Sequence, residues 1–167
     1  MADSSGNDGE PSTRNVLGTR VIPASSLASP DAKYRVFISY GTGDGFLVRE
    51  LVAKRLIDAG AEVFMDSLKV EFGDKLPDEI FAELMNCDEL CLLLTPTSLL
   101  RPWVFAELGA AILRDIRIVP ITYGLTEADL STKGVISLLG PRRYLVLDEL
   151  DSYVKQVKAR IARHHRV

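Results

Sequence analysis

The sequence predicts an α/β protein with a mostly parallel five-stranded sheet and helices on both faces. Three observations carry this. Short β-branched and aromatic runs alternate with segments of helical periodicity, the signature of β-α-β units. The run ELCLLLT at 89–95 is apolar at nearly every position, as suits a strand buried on both faces. Segments of helical length separate successive strands, which makes the connections parallel and right-handed.

Each element follows in order. Residues 34–40, YRVFISY, read as the first strand. Gly41, Thr42, Gly43, Asp44 and Gly45 make a turn. Asp44 there is either a turn or N-cap residue or part of a site. Residues 46–59 carry the i,i+4 apolar pairs Leu47/Leu51, Val48/Val52 and Val52/Leu56, which predict a helix, and Gly60 ends it. AEVFMD at 61–66 is the second strand, followed by a polar loop, SLKVEFGDKL at 67–76, in which Gly73 serves backbone geometry. Pro77 suits the first position of a helix running to about Cys87, and Pro102 opens another. IRIVPIT at 116–122 is a fourth strand whose pairing Pro120 is expected to end. Residues 123–141 read as irregular with one short helical piece. RYLVLD at 143–148 is the fifth strand, and 149–164 an amphipathic helix with Val154, Val157 and Ile161 inward.

The 167 residues suit one domain, and 47% hydrophobic with 26% charged residues is ordinary for a packed core. Residues 1–33, rich in Ser, Gly, Pro and Asp, predict a disordered leader or linker, leaving 34–167 as the domain. A net charge of −3 offers no global attraction to nucleic acid or an anionic membrane. No apolar run is long enough to span a bilayer and no secretory signal is visible, so the cytoplasm is the expected compartment. Cys87 and Cys91 form a lone C-x3-C, poor evidence for zinc, and read as buried core residues. His164 and His165 lie in a basic tail with nothing to orient an imidazole. That tail, Lys155 to Arg166, contains no acidic residue and reads as a solvated helix face. No metal site is expected.

The stretch RPWVFAELGAA at 101–111 asks for a function. Trp103 and Glu107 lie four residues apart and share one helix face, and the residues that follow are small or apolar. In parallel sheets, ligands bind outside the carboxyl ends of the strands. The Gly41–Gly43 turn, the loop from Asp66 to Lys75 and the start of the Trp103 helix all collect at that edge.

In this order the motifs resemble Toll/interleukin-1 receptor (TIR) domains. YRVFISY and its acidic turn are similar to their first strand. VFMD with its glycine-bearing loop is similar to their second strand and BB loop. LLLTPTSLLRPWVFAELGAA resembles their third strand and W-x-x-x-E helix, and IRIVPI their fourth strand. The likeness covers residues 34–122 well, and the ELGAA and IVPI segments look like bacterial members.

The resemblance implies a flavodoxin-like, three-layer fold and one of two functions. Some family members assemble through TIR–TIR contacts as scaffolds. Others cleave the nicotinamide–ribose bond of NAD+ as substrate, without a further cofactor, using the helix glutamate. The enzymatic expectation makes Glu107 the catalytic carboxylate. It places substrate-binding positions at Ser39, Tyr40, Gly41, Thr42, Asp66, Lys69, Ser98 and Trp103.

The chemistry is compatible with this residue set. Nicotinamide leaves as a neutral molecule and needs no general acid, unlike an ordinary glycoside's leaving group. One ionised carboxylate can stabilise the oxocarbenium-like ribose, and Trp103 would give a flat wall beside it. Backbone N–H groups at Gly41–Gly43 are candidates for the phosphates, although the G-x-G-x-x-G fingerprint is absent, and Lys69 is a candidate for added charge.

Each residue also has a plainer reading. Glu107 would be a solvated helix glutamate or a partner of Arg101 or Arg114. Trp103 would be a packing aromatic, Ser98 a loop hydrogen-bonder, and Asp66 a loop anchor. Product, ADP-ribose or a cyclic isomer, stays open. Self-association, a downstream effector protein and a role in antiphage defence signalling are implied by the resemblance alone. Two alternatives remain: a non-catalytic interaction module, and a nucleoside deoxyribosyltransferase-like hydrolase.

Overall fold

Five strands pair side by side in the order β2-β1-β3-β4-β5, every pair parallel. They are β1 (Arg35–Ser39), β2 (Glu62–Met65), β3 (Glu89–Leu94), β4 (Arg117–Thr122) and β5 (Leu145–Val146). This is the flavodoxin-like strand order. The computed structural model describes residues 33–65, 78–132 and 134–164. The leader expected at 1–33 (apart from Lys33), Asp66, the loop 67–76 with Lys69 and Gly73, Pro77, and the tail beyond His164 lie outside the described residues.

Helices cover both faces. They are α1 (residues 45–58), α2 (Asp78–Met85), α3 (Pro102–Leu113), α4 (Glu127–Thr132), α5 (Val135–Leu139) and α6 (Leu150–His164). On one face Val36, Ile38, Cys91, Leu93 and Ile121 pack against Val48, Val52 and Leu56 of α1 and Tyr153, Val157 and Ile161 of α6. On the other, Phe37, Leu90, Leu92 and Leu94 meet Ile80 and Leu84 of α2 and Val104, Leu108 and Ala111 of α3. The strand alternation of side chains thus feeds two separate core layers. The middle of α1, Val48–Ala53, is wound as a π-helix. The wider turn keeps Val48, Val52, Ala53 and Leu56 on the sheet, and leaves Leu51 exposed. Gly60, at φ 97°, ends the segment as expected.

Three expectations change. Pro120 does not end the pairing of β4, which continues against β3 to Thr122. The β5 ladder joins only at Ile121 and Thr122, so one flank of β4 is unpaired at Pro120, where a missing N–H costs nothing. The fifth strand is shorter than 143–148, because Leu147–Glu149 turns into a 3-10 helix leading to α6. Residues 123–141 hold two short helices, α4 and α5, rather than one. Leu130, Val135 and Leu139 explain this, since each fixes a turn of backbone to the core.

Glu89, the first residue of β3, is fully buried. Its carboxylate accepts the hydroxyl protons of Tyr34 (2.7 Å) and Tyr153 (2.6 Å) and an N–H from Arg160 Nη2 (3.1 Å), while Arg160 Nε lies 3.0 Å from it as an ion pair without a hydrogen bond. Arg160 therefore leaves the solvated face predicted for the basic tail; its side chain is 11% exposed. Burial raises the pKa of both tyrosines, and the Glu89 charge raises it further.

Cys87 and Cys91 are both buried thiols. Burial pushes Cys87 up to about 12, and Cys91 is raised as well, by burial first and by Glu89 second. Both folded and unfolded chains hold these protons below about pH 8. Above that, the unfolded chain releases them and the folded chain keeps them. Stability is therefore expected to fall from about pH 8.5 toward 12, by up to about 1.4 kcal/mol per pH unit for each thiol. Urea melts at about pH 8 and pH 10 check this; equal midpoints would contradict it.

Candidate active site

The carboxyl edge of the sheet has one topological switch point, between β1 and β3. From β1 the chain passes to α1 on one face; from β3 it passes to α3 on the other. The crevice opened there is where such folds receive ligands.

Helix α3 begins at this edge and runs back across the sheet. Pro102 takes its first position, where a missing N–H costs nothing. Arg101, just before it, donates to the Tyr40 carbonyl at 2.9 Å and ties the helix start to the end of β1. The sheet-facing stripe of α3 is Val104, Glu107, Leu108 and Ala111. Glu107 is thus 0% exposed, against the reading of a solvated helix glutamate. A carboxylate at an inward position is costly unless other groups answer it, and Glu107 does interact with another part of the chain.

Ser39 shares that layer. Strand alternation points Phe37 and Ser39 to the α3 face, and Ile38 and Tyr40 to the α1 face. Ser39 is fully buried, and its hydroxyl has no hydrogen-bond partner. An orphaned hydroxyl of this kind costs about 1–3 kcal/mol, a cost that a bound polar ligand would remove.

A polar clamp closes the switch point. Asp44 accepts hydroxyl protons from Thr95 and Thr97, both at 2.6 Å. It therefore clamps the β1–α1 turn to the β3–α3 loop, and makes no side-chain cap to the helix that follows. Ser98 accepts the Thr95 N–H at 2.8 Å and donates back to the Thr95 carbonyl at 3.1 Å. Its hydroxyl is spent within the loop. Gly41 sits inside the clamp: a methyl group there would lie 2.6 Å from Ser98 N and from Asp44 Oδ2, and 2.7 Å from Thr97 Oγ1. Gly41→Ala is accordingly expected to destabilise the fold by about 1–3 kcal/mol through overpacking, measured as a lowered urea midpoint; an unchanged midpoint would show that the clamp yields freely.

The other expected site residues distribute as follows. Tyr40 is buried in the α1 layer, and its carbonyl accepts from Arg101 at the edge of the crevice. Thr42 is exposed within the 3-10 turn Thr42–Asp44. The Asp44 carboxylate beside Gly41 puts a negative charge next to the turn expected to receive phosphate. Trp103 packs its ring on Phe81 of α2, with centroids 5.6 Å apart, and its buried Nε1 has no hydrogen-bond partner. Asp66 and Lys69 lie outside the described residues. Thr95, Thr97 and Arg101 tie the loops of the crevice together, a role that the sequence reading gave to none of them. The available signal was a run of hydroxyl residues directly after a buried strand.

A family model described as TIR domain matches residues 36–160, which span these strands, α3 and the crevice. The chain belongs to the TIR-domain family. This TIR domain is 27% identical over 121 residues to the 2' cyclic ADP-D-ribose synthase BtTIR of Bacteroides thetaiotaomicron, covering 70% of the chain and 41% of that relative. It is 28% identical over 125 residues to the probable 2' cyclic ADP-D-ribose synthase BdTIR of Brachypodium distachyon, covering 72% of the chain and 56% of that relative. It thus spans about half the length of the curated relatives it matches. The TIR domain of a Toll-related receptor from Hydra magnipapillata superposes with a TM-score of 0.55 at 22% identity, over 79% of this chain and 98% of that one, a likeness of fold. No helix among the described residues is long and apolar enough to cross a membrane.

Proposed function

We propose that this TIR domain cleaves the nicotinamide–ribose bond of NAD+, with Glu107 as the essential carboxylate. The observation that carries this is a glutamate buried on the sheet side of α3, beside the switch-point crevice, with the orphaned Ser39 hydroxyl in the same layer. The names of the two relatives support nucleotide cleavage of this type and favour a cyclic product.

In the proposed reaction the bond between ribose C1' and the pyridinium nitrogen breaks. Its electron pair leaves with nicotinamide, and C1' takes up positive charge. The Glu107 carboxylate sets a fixed negative charge beside that carbon in a site of low polarity. A water, or a hydroxyl of the substrate itself, then attacks C1' and loses its proton. Water gives ADP-ribose; an internal hydroxyl gives a cyclic isomer. Ser39 is placed to hydrogen-bond a ribose hydroxyl.

Glu107 has no solvent exposure in the isolated domain. Substrate reaches it only when the groups around it part, and self-association is the proposed source of that rearrangement. A part in bacterial antiphage defence, with a downstream effector, belongs to the same proposal. The test is NAD+ consumption at high protein concentration with product identification by chromatography. Nicotinamide release with a linear or cyclic ADP-ribose supports the reading. Confirmed assembly without NAD+ loss would leave an interaction module, and cleavage of nucleosides but not NAD+ would replace it with a nucleoside hydrolase.

A further inference from the structure

We infer that a second site, at the amino edge of the sheet, binds the phosphate group of a small anionic ligand. Between the start of β4, the segment before β5 and the face of α6 lies a cavity of about 310 Å³, within the range of small-ligand sites. Arg117, Arg142, Arg143 and Arg160 all line it, and Glu149 is the carboxylate among its lining residues. These arginines come from three separate parts of the chain, so the fold and not a local charge run gathers them.

Their engagements differ. Arg160 is held by Glu89, as described above, and so serves as a fixed wall. Arg142 donates one N–H to the Leu139 carbonyl at 2.8 Å, which fixes its direction and leaves its other donors. Arg143 is 3.8 Å from Glu149 with its side chain 90% exposed, an ion pair of little strength. The Arg117 residue is exposed, and its side chain makes no hydrogen bond or ion pair with a described residue. Positive charge is therefore in excess inside the cavity of a chain whose net charge is −3. Guanidinium forks match phosphate oxygens two at a time, and Ser152 adds a hydroxyl to the wall. The convergence on one half-enclosed cavity, rather than along a stripe, fits a small phosphate compound and not a nucleic-acid backbone.

The site is distinct from the Glu107 crevice, which lies at the opposite edge of the sheet. Calorimetric titration of the full chain with inorganic pyrophosphate at low ionic strength tests it. Saturable binding at one site per chain is expected, weakening as sodium chloride is raised. The double variant Arg117→Ala/Arg143→Ala removes two exposed side chains, so its fold is expected to persist, as circular dichroism will show. Its affinity is expected to drop on the order of tenfold or more for each guanidinium lost, while Glu107→Gln binds as the wild type does. Equal affinity for ADP and pyrophosphate would mean that the site reads phosphate alone; tighter ADP binding would name a nucleotide. No saturable binding, equal binding by the double variant, loss in Glu107→Gln, or binding of an oligonucleotide only would each overturn the inference.

Discussion

Glu107→Gln is expected to lower NAD+ turnover by about 10²–10³-fold or more while leaving the domain folded. The glutamine amide keeps the shape of the side chain and one acceptor oxygen, so the packing of α3 over Leu92 and Leu94 is preserved. What disappears is the negative charge. In the proposed reaction the transition state carries positive charge at C1', and a preorganised partner for such charge in a dry site is worth about 3–4 kcal/mol when removed. The measurement is nicotinamide release by the two proteins side by side, at equal concentration and equal assembly. Residual turnover within a few-fold of wild type would show that Glu107 serves the core alone. An inactive variant that also fails to assemble would not be a fair comparison, so light scattering accompanies the assay.

Glu89→Ala should cost about 3–5 kcal/mol of stability, the largest structural loss expected from a single side chain here. The substitution leaves the Arg160 guanidinium without its counter-charge in a nearly closed position, and strips two buried tyrosine hydroxyls of their acceptor. For a domain of this size the thermal midpoint would fall by roughly 10–20 °C. A scanning calorimetry trace of the variant checks this. A shift of only a degree or two would mean that water enters and replaces the carboxylate. Glu89→Leu is informative beside it, since an apolar group fills the space but still abandons Arg160.

The contrast between these two glutamates shows what a sequence makes legible. Glu107 could be singled out because Trp103 precedes it by one helical turn and a small apolar run follows. Its full burial could not be read, because the helix face that meets the sheet depends on how α3 crosses β3. Glu89 sits at the start of an apolar strand and looks like punctuation. Its partners Tyr34, Tyr153 and Arg160 are separated from it by 55, 64 and 71 residues, distances at which no local pattern survives. The strands β1 and β3 were plain from composition, since a central parallel strand has to be apolar on both faces. Pro120 misled because the rule it invokes concerns a flank of the strand that β5 does not reach. Asp44 stayed open between cap and site for a similar reason: what engages its carboxylate is two threonine hydroxyls from a loop over fifty residues away.

The sheet margins carry one more consequence. Among the described residues its outer strands are short, four residues in β2 and two in β5. Little unpaired backbone is on offer for another copy to extend the sheet edge to edge. If the domain assembles as proposed, these described edges favour contacts between side chains over main-chain ladders. Side-chain contacts have residence times that range from milliseconds to days. They can be retuned one residue at a time, and a polymer made from them can be dismantled once its stimulus is gone, which cross-β fibres do not allow.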